Sequence, residues 1–444
     1  MNRIINFWVN LRASLWFIPG LMLILSIVTA LGLIELDSQI DGEWLYTFPR
    51  VFGLGADGSR GMLTAIASSM LTVVALTFAL TLNAMTQASG QFTPRIFRNF
   101  MRDRPNQFFL GYFVSVFAYC LLVLRTIRGG DELKFVPSLA VFVGLLLALG
   151  GVIALIFFIH HIADSLQITT IIDKIVSDTK AAIDTKFPTE IGIPALSDER
   201  KEVWQATEKQ KWVKIAALTS GYIQSVDTDG LLEFAEGNQI ILRMERGIGQ
   251  FVGRGAGLMS LTSGAESENL SFVPDNQTER ELNDLFSIDR YRTIEQDVGF
   301  GIRQIVDIAL KALSPGVNDT TTAVNCIDQL GVIVAEIGRR ELPSRVRAGS
   351  RGARVIAVSP NFQDYVESSF DQIRISGKAN LAIFERLVES LSFIAECTKK
   401  DKRRAGLKRQ IDLIEEFGEQ TLETNYEKQK LAEKVAAARV VFAD

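Results

Sequence analysis

Four apolar runs near the start of the chain are each long enough to cross a lipid bilayer as a helix, and nothing else in the sequence constrains the fold as strongly. A hydrocarbon core about 30 Å thick takes about 20 helical residues. The runs extend from Leu15 to Ile34, Gly61 to Met85, Gln107 to Leu124 and Phe135 to Ile159. A bilayer offers no partners to open backbone groups, so such runs are expected as helices packed side by side. A cleaved leader is the rival reading of the first run; the run is long and no small-residue cleavage site precedes Glu35.

Charge divides the 444 residues into two halves. Residues 1–161 hold 11 Lys/Arg and 8 Asp/Glu, which leaves 36 and 43 of the totals of 47 and 51 for residues 162–444. The first half is therefore apolar and slightly basic, the second polar and slightly acidic. A net charge of −4 excludes general nucleic-acid binding, which needs a basic surface. Arg3 and Arg12 precede the first span, and Arg95, Arg98, Arg102 and Arg104 fill the second loop. The first loop is acidic, with Glu35, Asp37, Asp41, Glu43 and Asp57, whereas the third, Arg125 to Lys134, is mixed. Basic loops stay in the cytoplasm. The expectation is thus a multi-pass protein of a bacterial inner membrane, with its N-terminus and everything beyond His161 cytoplasmic. Trp8, Trp16, Trp44 and Tyr46 suit the headgroup zone, and Asn2–Phe17 can begin as an interfacial helix.

The expected fold is four transmembrane α-helices (residues 1–161) followed by a soluble α+β cytoplasmic region. Residues 162–187 keep a helical period, with Ile168, Ile171, Ile172, Ile175, Ala182 and Ile183 on one face. No Pro or Gly separates them from the fourth span, so they either prolong it as an amphipathic neck or pack on their own domain. Residues 188–278 read as a linker and a small β-rich module. Its expected strands are Val213–Ala217, Gly221–Val226, Gln239–Met244, Gly249–Val252 and Leu258–Leu261, with a short helix at Leu231–Glu236. Residues 279–444 read as mainly helical: Arg303–Leu313, Thr320–Glu336, and two or three helices from Asp364 onward. Arg339–Arg354 reads as a basic loop, with one strand after it at Val355–Val358.

Four blocks of sequence follow the spans: Ser220-Gly-Tyr-Ile-Gln224, Gly249-Gln-Phe-Val252, Asp297-Val-Gly-Phe-Gly-Ile302 and Ala312-Leu-Ser-Pro-Gly-Val-Asn-Asp319-Thr-Thr-Thr-Ala323. In this order they resemble a family of predicted bacterial membrane proteins known as domain of unknown function 2254. The resemblance implies the topology and the membrane location, and brings no activity, substrate or cofactor. The family usually has Pro after the Asn-Asp pair where this chain has Thr320, which loses a residue pre-set for a helix start.

Chemistry has few places to sit. On the second span Thr64, Ala65, Ser68, Thr72, Ala75, Ala79, Asn83 and Thr86 share one side. Of these, Thr64, Ser68, Thr72, Asn83 and Thr86 are the candidate pore-lining residues; close helix packing is the competing account of the same stripe. No Asp, Glu, Lys or Arg lies deep in a span, which speaks against a proton relay through the midplane. The turn Ser314, Pro315, Gly316, Asn318, Asp319 is either a capped helix corner or a ligand site. Asp307, Asn318, Asp319 and Asp328 are its candidate oxygen donors for a hard cation, and the next helix start is a candidate for an anion. The metal is left open. His160 and His161 are the only histidines; they adjoin the fourth span and point about 100° apart on a helix. The glycines from Gly249 to Gly257 do not match a dinucleotide fingerprint, and Cys120, Cys326 and Cys397 form no metal or disulfide pattern. The basic run Lys399–Arg409 is a solvated helix face or a headgroup contact. No cofactor and no enzyme constellation is indicated. The expected partners are the bilayer, further copies of the chain, and an ion or small ligand. Three functions remain in view: a homo-oligomeric channel-like or transport-related protein gated by its soluble region, a membrane-anchored scaffold or sensor, and, last of the three, an enzyme that works with carboxylates alone.

Overall fold

A computed structural model describes residues 16–39, 55–91, 103–129, 135–186, 193–194, 211–263, 274–342, 345–349, 352–398 and 400–442. Trp8, Trp44, Tyr46, Arg95, Arg98, Arg102, Pro188 and the stretch Asn2–Phe17 before Trp16 lie outside the described residues. The chain divides into two compact units, Met1–Thr170 and Ile171–Asp444.

The first unit contains α1 (Phe17–Gln39), α2 (Ala56–Gln91), α3 (Arg104–Thr126) and α4 (Ser138–Ser165). All four are long and apolar enough to cross a membrane. Their core joins Leu63, Ala67 and Met70 of α2 to Phe113, Val116, Tyr119 and Val123 of α3, and to Ala140 and Val141 of α4. Polar groups fasten the helices where lipid would leave backbone atoms open. Tyr119 donates to the Ala140 carbonyl at 2.7 Å and Tyr112 to the Leu147 carbonyl at 2.9 Å. The first turn of α4 follows Pro137, which has no capping side chain. Asp37 of α1 takes that role, accepting from Leu139 N–H at 3.2 Å and Ala140 N–H at 2.9 Å. Gly111 lets α3 pass against Pro19 of α1, and Ser26 donates to the Ser115 carbonyl at 2.6 Å beside that crossing.

The fourth helix stops at Ser165 and α5 (Ile168–Lys186) starts anew. The break has a local cause. Leu166 and Gln167 N–H both turn back to the Asp164 carbonyl, the Gln167 amide bonds the Asp164 carboxylate at 3.1 Å, and the β-branched run Ile168-Thr-Thr-Ile-Ile172 follows. The apolar face of α5, including Ile172, Ile175 and Ile183, is buried. Thr179 rests on Gly301, and Arg340 holds the end of α5 through Asp184.

The second unit carries two sheets. The larger has strand order β1 (Ile193–Pro194), β8 (Val346–Gly349), β9 (Gly352–Ile356), β4 (Ile240–Met244), β6 (Gly257–Ser263), β2 (Val213–Ala216), and only its β4–β9 pairing is parallel. The smaller is antiparallel in the order β5 (Phe251–Val252), β3 (Gly221–Val226), β7 (Phe286–Asp289). Ile215, Leu242 and Leu261 of the larger sheet share one core with Ile223, Val226 and Phe286 of the smaller. Two short helices complete it: α6 (Thr228–Gly237) inserts Leu231 and Ala235, and α7 (Asn276–Asp284) inserts Leu282.

The rest is helical: α8 (Val298–Ala312), α9 (Thr320–Arg339), α10 (Phe362–Ser376), α11 (Leu381–Cys397), α12 (Asp401–Thr421) and α13 (Asn425–Val440). The fold is thus four apolar helices followed by a mixed-sheet and helical region, as the sequence predicts. Three details differ. The basic loop contains strand β8, whose hairpin with β9 extends the sheet beyond residues 188–278. Residues 286–289 form a strand inside a stretch read as helical. Four helices, rather than two or three, follow residue 360.

Candidate functional site

The face of α2 that sequence periodicity singles out is turned away from the other three spans. Thr64, Ala65, Ser68, Thr72, Ala75, Ala79, Asn83 and Thr86 are all exposed, whereas Leu63, Ala67, Met70, Thr77, Ala84 and Met85 face inward. Packing within the chain therefore does not account for the stripe. The Thr72 hydroxyl donates to the Ser68 carbonyl at 3.0 Å and that of Thr86 to the Leu82 carbonyl at 2.9 Å. These donors are consumed by the helix itself, so their oxygens keep acceptor capacity on the outer side. Elsewhere the outer surface is coarser: Leu21, Leu25 and Val28 on α1, and Leu149, Ile153 and Ile156 on α4, are each more than half exposed. Such large apolar side chains suit lipid tails. Leu71, Phe78 and Leu82 flank the stripe on α2.

Three of the four sequence blocks meet in the second unit. Gly221 and Tyr222 of the first pair with Val252 and Phe251 of the second, and Gly249 N–H donates to the Ile223 carbonyl at 2.8 Å. The third block begins at Asp297, the N-cap of α8, which accepts from Phe300 N–H at 3.0 Å. The same carboxylate takes a two-point contact from Arg292, at 2.8 and 3.0 Å, in a buried setting. Gly249 lies against this pair at φ +82°, a left-handed conformation that only glycine adopts without cost. The Tyr222 and Phe251 rings meet edge to face, 5.4 Å between centroids, and Phe251 is 56% exposed.

The fourth block lies at the other end of α8, where Pro315, Gly316, Val317 and Asn318 are exposed. Ser314 donates its hydroxyl to the Lys311 carbonyl at 2.6 Å, and Asn318 sits at φ +48° with its N–H on the Ser314 carbonyl. Asp319 is the N-cap of α9, accepting from the Thr322 N–H at 3.0 Å and the Thr322 hydroxyl at 2.6 Å. Thr320, which stands where the family usually has Pro, accepts from the Asn380 amide at 3.1 Å and so ties α9 to the N-cap of α11. The other proposed oxygen donors are engaged elsewhere: Asp307 pairs with Arg303, and Asp328 with Arg386. Among the described residues no group of three or more His, Cys, Asp or Glu side chains is placed to hold a metal ion.

The Thr322 hydroxyl and N–H hold the Asp319 carboxyl below the usual carboxylate range. A depressed value means that its stabilisation is complete above about pH 4 and is lost as pH falls through the lowered folded-state value. Asp319→Ala is expected to cost about 1 kcal/mol at neutral pH. Asp319→Asn keeps the cap and should flatten this group's acid dependence; thermal unfolding between pH 7 and pH 3 measures both.

The two histidines part as their helical spacing requires. His160 faces Asp164 at 3.2 Å, and His161 Nε2 lies 2.6 Å from Asp103 Oδ2 and 3.4 Å from Ser165 Oγ. Both partners of His161 share one ring nitrogen, so the trio lacks the two-sided geometry of a nucleophile–base–carboxylate relay. Sequence reasoning missed Asp103 as a partner because it is 58 residues away. The basic run is partly internal: Arg403 donates to the Gly338 and Arg340 carbonyls at the end of α9, and Lys400 pairs with Glu341. Lys402, Lys408 and Arg409 remain exposed.

The family model of predicted membrane proteins, DUF2254, matches residues 12–392. The chain belongs to this family. Similar proteins are the uncharacterized protein MT1328 of Mycobacterium tuberculosis (strain CDC 1551 / Oshkosh) and the uncharacterized protein Mb1321c of Mycobacterium bovis. Each is 30% identical over 407 residues, which span 91% of this chain and 76% of the relative. No solved structure matches the chain significantly. The match runs through the four spans and all four sequence blocks.

Proposed function

We propose that this DUF2254 protein is a homo-oligomeric, channel-like or transport-related protein of the bacterial inner membrane, with its second helices around a shared path. The carrying observation is the outward position of the Thr64–Thr86 stripe, next to outer surfaces of α1 and α4 that present large apolar side chains. Small hydroxylated residues facing lipid gain little, whereas facing their counterparts in further copies they either pack closely or line a passage. The lining would be uncharged and oxygen-rich, suited to water, small polar solutes or weakly selected cations. The basic N-terminus and second loop favour a cytoplasmic N-terminus and C-terminal region, and the soluble region would assemble and gate the membrane part. Planar-bilayer recordings of the purified protein test the reading. Conductance that changes when Ser68 and Asn83 are replaced by Leu supports a path; currents absent under every salt and voltage remove it.

The second reading, a membrane-anchored scaffold or sensor, is favoured by exposed Phe251, which packs edge to face on partly buried Tyr222, with half-exposed Tyr291 on the same unit. An oligomer without conductance, whose cytoplasmic region captures a defined partner through Phe251, would establish it instead.

A further inference from the structure

We propose that the ends of α3 and α4 carrying Asp103 and His161 form a two-state latch, closed in this structure, which opens by passing Asp103 from His161 to the first turn of α3 and letting water reach Asn106. The proposal is independent of how copies assemble. Asp103 is the N-cap of α3, in the extended conformation that such residues adopt, yet its side chain caps nothing on its own helix. An N-cap carboxylate ordinarily accepts from the N–H two or three residues on. Pro105 has no N–H to offer, which leaves Asn106 as the natural donor. In this structure the carboxylate instead bonds His161 of α4 at 2.6 Å.

Closure leaves the Asn106 amide badly placed. Asn106 is 96% buried, since its relative exposure is 4%, and both its Nδ2 and Oδ1 are buried with no hydrogen-bond partner among the described residues. Residues three apart on a helix face the same way, so Asn106 shares the Asp103 side of α3. One turn further in, Phe109 stacks edge to face on Phe158 of α4, 5.8 Å between centroids, beside buried Ala84 and Ile162. The amide is thus enclosed between an aromatic contact and the Asp103–His161 bond. A buried amide without partners opposes the state that encloses it, and regains its hydrogen bonds once water enters. The closed form is held by the charge-capable Asp103–His161 bond between helices. The open form offers Asp103 a cap on α3 and offers Asn106 water. Both states therefore satisfy something that the other leaves open, which is what a bistable element requires.

The test is amide hydrogen exchange on the full-length protein in lipid nanodiscs, read over the first turns of α3, Gln107 to Gly111. His161→Leu removes the bond that closes the latch and should speed exchange there by about tenfold, with the thermal midpoint of the second unit unchanged. Asn106→Leu removes the enclosed amide and should slow exchange at the same positions by about tenfold. A purely structural role predicts the opposite sign for Asn106→Leu, because any core substitution would loosen the helix. Unchanged exchange in His161→Leu, or faster exchange in Asn106→Leu, overturns the latch. If His161→Leu does not fold, the sign for Asn106→Leu decides alone.

Discussion

Gly249→Ala is expected to unfold the sheet-bearing part of the second unit at physiological temperature, although it adds a single methyl group. At φ +82° an alanine costs about 1–2 kcal/mol for its backbone alone. Its Cβ would stand 2.3 Å from Asp297 Oδ2 and 2.8 Å from Arg292 Nη2, so the carboxylate must move. Moving it breaks a buried ion pair and the cap of α8 together. Disrupting such a pair costs about 3–5 kcal/mol, and losing a cap about 1 kcal/mol. Domains hold only about 5–15 kcal/mol in total. Thermal unfolding in detergent should show a large drop in midpoint. Gly253→Ala, four residues on with nothing within 4 Å of the added carbon, should fall within about 0.5 kcal/mol of the parent.

Gly111→Val should do comparable damage in the membrane part. An added Cβ at Gly111 meets the Pro19 Cα at 2.9 Å, and backbone cannot swing aside as a side chain can. The α1–α3 crossing would have to open, taking the Ser26–Ser115 bond with it. Overpacking of this kind costs about 1–3 kcal/mol and at times more. A cysteine introduced at Ser26 should change from protected to reactive toward a membrane-permeant thiol reagent when Gly111→Val is present. Gly32→Val on the same helix, where nothing lies within 4 Å, should leave it protected.

These two glycines also show where sequence reading stops. The four spans were legible because length and hydropathy suffice for a bilayer-crossing helix, and their ends moved by less than two turns. Ala56-Asp-Gly-Ser-Arg60 is helical ahead of the apolar run, for example. Strand β3 falls on the residues expected for it, Gly221–Val226, since its alternation is local. β8 was hidden because Arg345-Val-Arg-Ala-Gly has the texture of a basic loop, and its strand character comes from pairing with β9. Periodicity placed Thr64 to Thr86 on one side of α2, but only the packing of the other helices decides whether that side looks inward or outward. Likewise Asp297 read as one end of a block that resembles the family, and its bond to Arg292 at the back of Gly249 joins pieces 48 residues apart in number. Asn106 gave no signal at all, because an amide near the start of an apolar helix has the appearance of a headgroup residue until burial is known.

In the proposed oligomer the outward side of α2 faces other copies of the chain. Ser68→Cys in a Cys397→Ser background, leaving only buried Cys120 and Cys326 besides it, measures this directly in native-composition lipid nanodiscs. The expected result is a multimer by native mass, with oxidation linking copies through position 68 and with no link formed when the cysteine is placed at outward-facing Ile153 instead. A monomeric mass, together with no more linking at 68 than at 153, would contradict it.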